Sequence, residues 1–358
     1  MRVVLYEWCC SGGLHGQDVP QPEALALTIE GCAMLDALLC DAAKDTSIEL
    51  TVLADASRPL NQAAAARLLS VPLGAEVDVL MHESALADWT IIIAPETAGI
   101  LESRVAAARA AGGRVASPGT TFLAAAADKP ATLCALAAAG VAVPAGRTLG
   151  AGEPLPIGFY LPAVRKARAS AGGDGLAIVR SHGQTSPAHQ EQRVEAFVAG
   201  TPVGVSCLCG SGGVYLLPPV QQRFSSGDTP EYLGGILLLD KAMRHRAERL
   251  AHRAVAALQY AANDNRPGPA EERAAALGWV GVDMILGDRE DGCGDRVLEV
   301  NPRLTTSFAG LRHLFRSSLM RAILDVASGQ LPELTLAEAD ASRPIDFEKS
   351  GDVRVSHG

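Results

Sequence analysis

An α/β fold is what this sequence predicts, and three observations predict it. Strand-like and helix-like stretches alternate through the first third with short loops between them, the βαβ rhythm of a parallel sheet with helices on both faces. In the middle, an Ala-rich helical stretch and then a run of glycines and prolines mark a change of unit. Beyond it strands become frequent, and one hairpin gathers acidic residues on a single face. The chain divides accordingly into residues 1–118, 119–195, 196–330 and a tail, 331–358.

In the first unit, strands are expected over Val3–Tyr6, Glu49–Ala54, Glu76–Met81, Thr90–Ala94 and Arg114–Ala116. Helices are expected from about Pro22 to Ala43, Leu60 to Leu69 and Thr97 to Ala111. Ser11-Gly12-Gly13 follows the first strand, at the edge where α/β sheets bind ligands, but its spacing is not the dinucleotide G-x-G-x-x-G. Gly119 to Gly140 reads as helix broken at Lys129-Pro130. Ala163–Lys166 is a short strand, 169–175 a loop, and Leu176–Arg180 the returning strand. Strands follow over Val194–Val198, Pro202–Leu208 and Val214–Val220, then a long helix over about Arg244–Gln259. Asn263–Pro269 reads as a polar loop, Glu271–Leu277 as a short helix and Arg312–Ser328 as the last helix. From about Glu338 the chain reads as polar and frayed.

Composition narrows the class. With 48% apolar and 20% charged residues the chain is an ordinary globular one, long enough for two or three cores. A net charge of −9 and an aromatic content of 4% argue against nucleic acid or an anionic membrane as the main partner. No apolar run reaches the roughly 18 residues of a membrane span. The opening Met1–Cys10 is interrupted by Glu7 and lacks a small-residue cleavage site, so it reads as a first buried strand and the expected location is cytoplasmic. Eight cysteines include no C-x-x-C, and reduced, mostly buried thiols are expected; a metal or redox role stays open for Cys207-x-Cys209 and for the Cys9-Cys10 pair.

The run Val297-Leu298-Glu299-Val300-Asn301-Pro302-Arg303 carries the most chemistry. Period-2 alternation puts Glu299 and Asn301 on one face of a strand. Val280 to Leu286 reads as its hairpin partner across the polar stretch Gly287–Asp295, which sets Asp283 opposite Glu299 or Asn301. Two carboxylates this close repel unless a cation sits between them, and with the amide oxygen they make a hard donor set that suits Mg²⁺ or Mn²⁺. Arg303, just past the strand, offers a fork for phosphate or carboxylate. Lys166 leaves a strand just before the loop Gly172-Gly173-Asp174-Gly175, whose backbone amides could fold around phosphate, and Lys129 is a second candidate. There is no G-x-x-x-x-G-K-[ST], no G-x-S-x-G and no H-E-x-x-H.

Taken in order, these pieces resemble the ATP-grasp superfamily of carboxylate–amine ligases over roughly residues 119–328. Asp128-Lys129 and Gly140-Val141-Ala142-Val143-Pro144 look like the start of its small ATP-binding subdomain. Pro162–Lys166 with Gly172–Gly175 looks like its lysine strand and phosphate-covering loop, and Arg193–Gly200 resembles its hinge. Gly281-Val282-Asp283 and Leu298–Arg303 match its metal-binding strands. The resemblance implies an ATP-grasp fold: an N-terminal parallel α/β domain, a small ATP-binding subdomain and a C-terminal α+β subdomain with the metal site. It implies ATP and Mg²⁺ (or Mn²⁺) as cofactors, small carboxylate and amine substrates, and a homodimer. By the same resemblance, Asp283, Glu299 and Asn301 hold the metal, and Lys129 and Lys166 contact phosphates. Gly172, Gly173 and Gly175 close over them, backbone groups of Glu195, Phe197 and Val198 meet adenine, and Arg303 with Lys166 serves catalysis.

A narrower likeness lies in Glu299 to Arg312, which is similar to the tail of the tyramine–glutamate ligase group of methanofuran biosynthesis. Leu5-Tyr6-Glu7-Trp8, Ser11-Gly12-Gly13 and Tyr232-Leu233-Gly234-Gly235 fit that group too. It implies glutamate joined to tyramine or tyrosine. Two alternatives stay open: another amino-acid or D-alanine-type ligase, and a non-catalytic nucleotide-binding protein. No biotin-attachment Met-Lys-Met occurs, which disfavours a fused carboxylase.

Overall fold

A parallel sheet opens the structure because the first strands are apolar throughout rather than alternating, and only burial on both faces satisfies such strands. The computed structural model describes residues 1–57, 66–168, 176–182, 191–237, 240–263, 275–337 and 344–355. Strands β1 (Arg2–Glu7), β2 (Glu49–Asp55), β3 (Ala66–Val71) and β4 (Trp89–Ile93) lie in the order β3-β2-β1-β4 with every pair parallel. Helices α1 (Gln21–Ala42), α2 (Glu76–Leu86) and α3 (Ile100–Ala110) pack on this sheet. Pro22 sits in the first turn of α1, where a missing N–H costs nothing.

Three expectations for this unit are corrected. The stretch Glu76–Met81 is helix, not strand, because α2 buries Glu76, Leu80, Glu83 and Ser84, a helical spacing disguised by two acids. Those acids are paired: Glu76 accepts from the Tyr6 hydroxyl and from Arg104 at 2.9 Å, and Glu83 pairs with Arg67. The helix expected over Leu60–Leu69 ends as strand β3, which lies beside β2 from Ala66; residues 58–65 are outside the described residues. Arg114–Ala116 shrinks to one bridge, Thr90 to Val115.

The helical stretch before the change of unit is α4 (Thr120–Ala127) and α5 (Lys129–Ala138), split where the Asp128 carboxylate caps α5 by accepting the Ala131 amide at 3.2 Å. A small antiparallel sheet follows, from β5 (Gly146–Leu149), β6 (Ala163–Ala167), β7 (Ala177–Val179) and β8 (Gln192–Ala196), in the order β5-β8-β6-β7. The loop 169–175, with Gly172, Gly173 and Gly175, lies outside the described residues.

The largest sheet contains β9 (Thr201–Gly210), β10 (Gly213–Leu216), β11 (Val220–Phe224) and β12 (Tyr232–Ile236), joined after helix α6 (Lys241–Ala262) by β13 (Gly278–Leu286) and β14 (Arg296–Asn301). The strand expected over Val214–Val220 is broken into β10 and β11 by Pro218-Pro219, which lack amides for a ladder. Of the stretch Glu271–Leu277, residues 271–274 are outside the described residues and the rest is not helical. Helix α7 (Ser307–Leu311) precedes the expected last helix, Arg312–Ser328, which shortens to a 3₁₀ turn (Arg312–Leu314) and, past an extended Phe315, α8 (Leu319–Ala327), capped by the Ser318 hydroxyl accepting the Arg321 amide at 3.1 Å.

Where it is described, over residues 344–355, the expected frayed tail is instead part of a sheet. Strands β15 (Ile345–Glu348) and β16 (Val353–Val355) complete the order β14-β13-β9-β11-β12-β15-β16, with β10 paired to β9. Ile345 and Phe347 are fully buried, so two alternating apolar residues in a polar segment suffice to dock it.

Alternation along β13 decides where chemistry can lie. Val280, Val282 and Met284 pack with α6 in one core. Trp279, Gly281 and Asp283 face the other way, toward the side where α1, α7 and α8 form the second core. Among the described residues no helix is long and apolar enough to cross a membrane.

Candidate active site

The hairpin pairs Asp283 directly with Glu299 and Gly281 with Asn301, so the two carboxylates and the amide share one face. On the other side of β13, Asp283 is opposite Gly204 of β9. A Cβ at Gly204 would stand 3.1 Å from Asp283 Oδ1 and 3.2 Å from Gln222 Nε2. The bare backbone there lets Gln222, one strand further, donate to Asp283 Oδ1 at 2.8 Å. Asn301 Nδ2 donates to Asp283 Oδ2 at 2.9 Å. Both Asp283 oxygens are thus held by amides, yet burial and then the neighbouring Glu299 charge push its pKa up.

Lysines approach Glu299 from two other elements. Lys129, the first residue of α5, places Nζ 3.4 Å from Glu299 Oε2. Lys166 of β6 donates to the Leu298 carbonyl at 3.1 Å and pairs with Glu195 Oε2 at 3.0 Å. Arg193 Nε donates to the other Glu195 oxygen at 2.6 Å. Burial works to raise the Glu299 pKa, but Lys129 and Lys166 outweigh it and hold the carboxyl below its ordinary value.

Arg303 lies just beyond β14. Its Nε donates to Glu96 Oε1 at 2.9 Å, which ties the end of the large sheet to the loop after β4. Hydroxyls gather next to it: Thr305 and Ser307 at 2.7 Å, Ser307 and Ser206 at 2.9 Å, and Thr306 donating to the Tyr232 hydroxyl at 3.1 Å. Lys129, Lys166, Asp283, Glu299, Asn301 and Arg303 all open on one cavity of about 1060 Å³, its mouth included, whose apolar wall includes Leu176, Val205 and Val220.

Not every expected residue is there. Glu195, Phe197 and Val198 do not line this cavity. The Glu195 side chain is instead a buried clamp on Lys166 and Arg193. The amides of Ala196 and Phe197 are donated to Ala145 and Pro162, so an adenine edge would have to be met by other groups of the stretch. Ser11-Gly12-Gly13 is a turn whose Ser11 hydroxyl donates to the Leu53 carbonyl at 2.9 Å. Cys207 and Cys209 are buried free thiols on β9, and burial raises the pKa of both. No local pattern points to Gln222, Glu30 or Glu96. Glu7, a charge inside an apolar strand, was the one available signal for this acidic region.

The donor set fits a divalent cation: two carboxylates and an amide oxygen on one face, beside lysines suited to phosphates. A cation there would also relieve the repulsion that raises Asp283. To coordinate it, the Asn301 amide would turn its oxygen inward, giving up its bond to Asp283. Among the described residues no group of three His, Cys, Asp or Glu side chains is arranged for a metal, so the amide is a necessary member of the set.

A family model described as an ATP-grasp domain matches residues 126–307, and one described as a pre ATP-grasp 3 domain matches residues 48–120. No curated protein matches the chain. Among solved structures, the chain is similar to an ATP-grasp superfamily protein from Archaeoglobus fulgidus, with 19% identity, TM-score 0.67, and 97% of this chain and 92% of that chain covered. It is similar to an L-amino acid ligase from Bacillus licheniformis, with 17% identity, TM-score 0.62, and 96% and 78% covered. It is also similar to a D-alanine–D-alanine ligase from Bacillus anthracis, with 15% identity, TM-score 0.57, and 92% and 97% covered.

Proposed function

This chain belongs to the ATP-grasp family, and we propose that it is an ATP-dependent ligase that joins a carboxylate to an amine through an acyl phosphate. The proposed carboxylate is glutamate and the proposed amine tyramine or tyrosine, in the biosynthesis of a methanofuran-like C1 carrier. One observation supports the reaction class: lysines from two separate elements reach neighbouring positions of β14, Lys129 at the Glu299 carboxylate and Lys166 at the Leu298 carbonyl, on the open face of the hairpin. The substrate pair rests on the likeness of Glu299–Arg312 to the tyramine–glutamate ligase group.

In this reading a carboxylate oxygen of glutamate attacks the γ-phosphorus of ATP, and the bond to the ADP oxygen breaks. The amine nitrogen then attacks the acyl carbon, phosphate leaves, and the nitrogen gives up a proton. Negative charge accumulates on the phosphoryl oxygens, so fixed cations supply most of the catalysis. Lys129 and Lys166 bind phosphate oxygens, and Glu195, itself paired with Arg193, holds the Lys166 ammonium in place. Arg303 orients the carboxylate or the acyl phosphate, its guanidinium anchored by Glu96. Asp283, Glu299 and Asn301 would hold Mg²⁺ or Mn²⁺, which when bound neutralises phosphate charge.

The test is phosphate release from ATP with Mg²⁺, measured with glutamate alone, with either amine alone, and with glutamate plus tyramine or tyrosine. Release that requires both partners, with the amide product found by mass spectrometry, is the expected result. ATP binding with no release under any amino acid or amine tried would overturn the ligase reading in favour of a nucleotide-binding protein.

A further inference from the structure

An uncharged patch of the same cavity carries hydroxyls that the phosphate chemistry does not use. Ser206, Thr305 and Ser307 line it. The sheet fixes their places. Gly281 pairs with Asn301 on one side and with Ser206 of β9 on the other. Ser206 therefore shares the face of the cation site but stands two strand spacings from Asn301, roughly 10 Å between backbones. Gly281 is also where Thr305 folds over β13: a Cβ there would come within 2.8 Å of Thr305 Cγ2.

The hydroxyls form a chain with a fixed direction. The buried Trp279 indole donates to Thr305 Oγ1 at 3.2 Å, Thr305 and Ser307 are 2.7 Å apart, and Ser307 and Ser206 are 2.9 Å apart. An indole N–H donates and never accepts, so Thr305 takes its proton and can pass none back. Three hydroxyls bring three protons, and the two links between them consume two. One proton is left over, and no described residue accepts it. Hydrogen bonds that run head to tail strengthen one another, which places the spare proton at the far end, on Ser206. A ligand that donates to Ser206 is poorly served. Turning the chain round would aim the Thr305 proton at the indole N–H, and keeping its direction would leave the Ser206 proton unpaired. The patch therefore takes an acceptor. Arg303, a second group with donors only, opens on the same cavity and makes an anion the favoured acceptor.

We propose that Ser206 is a specificity residue for the acyl substrate: it donates to a second carboxylate, the one that is not phosphorylated, and Trp279 is a positioning residue that keeps Ser206 a donor through the hydroxyl chain. This assignment rests on the ligase reading and names the acyl substrate as a dicarboxylic acid, the class to which glutamate belongs. The phosphates have the lysines and the cation face at the hairpin. The carboxylate that attacks phosphorus has to reach that face too, and a hydroxyl bound to it would stabilise the charge that must react. A carboxylate that does not react carries no such penalty. An amide in its place turns an N–H toward a wall of donors, and the loss of the charge-assisted hydrogen bond costs about 10-fold in affinity or more.

The test is calorimetry on the full chain loaded with a non-hydrolysable ATP analogue and Mg²⁺, comparing glutarate with its monoamide, glutaramate. The two ends of glutarate are equivalent, so the monoamide can put its one carboxylate at the cationic face and leave the amide to Ser206. The wild type is expected to bind glutarate at least about 10-fold more tightly than the monoamide. Ser206→Ala should erase most of that margin by weakening glutarate. Trp279→Phe, which removes only the indole N–H, should shrink it from the other side: the chain is then free to turn, and the monoamide binds more tightly. A merely structural role of Trp279 would weaken both ligands alike and leave their ratio unchanged. Both variants should keep the affinity for the ATP analogue, which also reports that they are folded; if Trp279→Phe does not fold, Ser206→Ala decides alone. A wild type without the margin, or a Ser206→Ala protein that keeps it, overturns the proposal. Weaker binding of the ATP analogue to Ser206→Ala with the margin intact would place a phosphate on the hydroxyls and overturn the assignment to a carboxylate. Phosphate release is a separate readout: its absence in the wild type defeats the ligase reading, while the binding margins still decide the role of Ser206.

Discussion

The two ends of the cavity handle charge in opposite ways. At the hairpin end, Asp283, Glu299 and Glu195 are set against Lys129, Lys166 and Arg193, each basic group within 3.4 Å of an acid or a carbonyl. At the end that faces α1, Glu7, Glu30 and Glu96 share Arg303, with Lys349 acting on Glu30. The first end is balanced before any ligand arrives, so the charge of a nucleotide there has to be offset in large part by the cation that enters with it. The second end keeps a surplus of negative charge that favours a cation. The difference teaches that one cavity can be built to take two kinds of ligand without a wall between them. Each end discriminates by its charge balance.

The comparison breaks most sharply if one charge is taken from the balanced end. Glu299→Gln removes the carboxylate that pairs with Lys129, feels the charge of Lys166 and completes the cation face. ATP turnover should fall by roughly 10³-fold or more, the scale of losing a positioned charge in a phosphoryl-transfer site. The fold should survive, because Glu195 still pairs with Lys166. Circular dichroism together with a phosphate-release assay checks both halves, and turnover near the wild-type rate would sink the metal assignment.

A smaller effect is expected from Lys166→Ala. Lys166 is buried, and its loss leaves Glu195 with Arg193 alone. Because Arg193 still compensates that carboxylate, the cost in stability should stay below the roughly 3–5 kcal/mol of a fully orphaned buried charge. ATP affinity by calorimetry should drop roughly 10- to 100-fold. Unchanged affinity would mean that Lys166 is only a structural partner of Glu195, and the balanced end would then have one phosphate ligand instead of two.

The two ends also differ in how far the sequence revealed them. The hairpin was legible because period-2 alternation and a turn fix which residues share a face, so Asp283 opposite Glu299 follows from local rules. The lysines were legible from position: each stands where a helix or strand meets a loop. Gln222 was not, because its reach to Asp283 depends on the bare backbone of Gly204 on the strand between them, a relation of three strands. Arg303 reaches Glu30, Glu96 and Glu7 only through tertiary packing of α1, the loop after β4 and β1, which no spacing encodes. The misread elements have the same origin. Helix α2 hides its buried stripe behind Glu76 and Glu83, and β15 docks through two residues, Ile345 and Phe347. In each case a pairing made elsewhere in the chain overrode the local pattern.

The smallest effect tests the surplus itself. Burial pushes the Glu7 carboxyl up to about 7, against the hydrogen bond from Cys10 and the pull of Arg303. An unfolded glutamate titrates near its ordinary value of 4.5, so between these values the folded chain binds a proton that the unfolded chain has lost. Stability from this group is therefore fully present below the lower value and declines as the pH rises through the upper one, by at most about 3 kcal/mol. Glu7→Gln keeps the acceptor for the Cys10 amide and removes the titration. In urea unfolding the variant should gain on the wild type as the buffer moves from about pH 5 to about pH 8, by about 1–3 kcal/mol. A difference that stays flat over that range would mean that the acids around Arg303 are neutralised in some other way, and the contrast between the two ends would lose its basis.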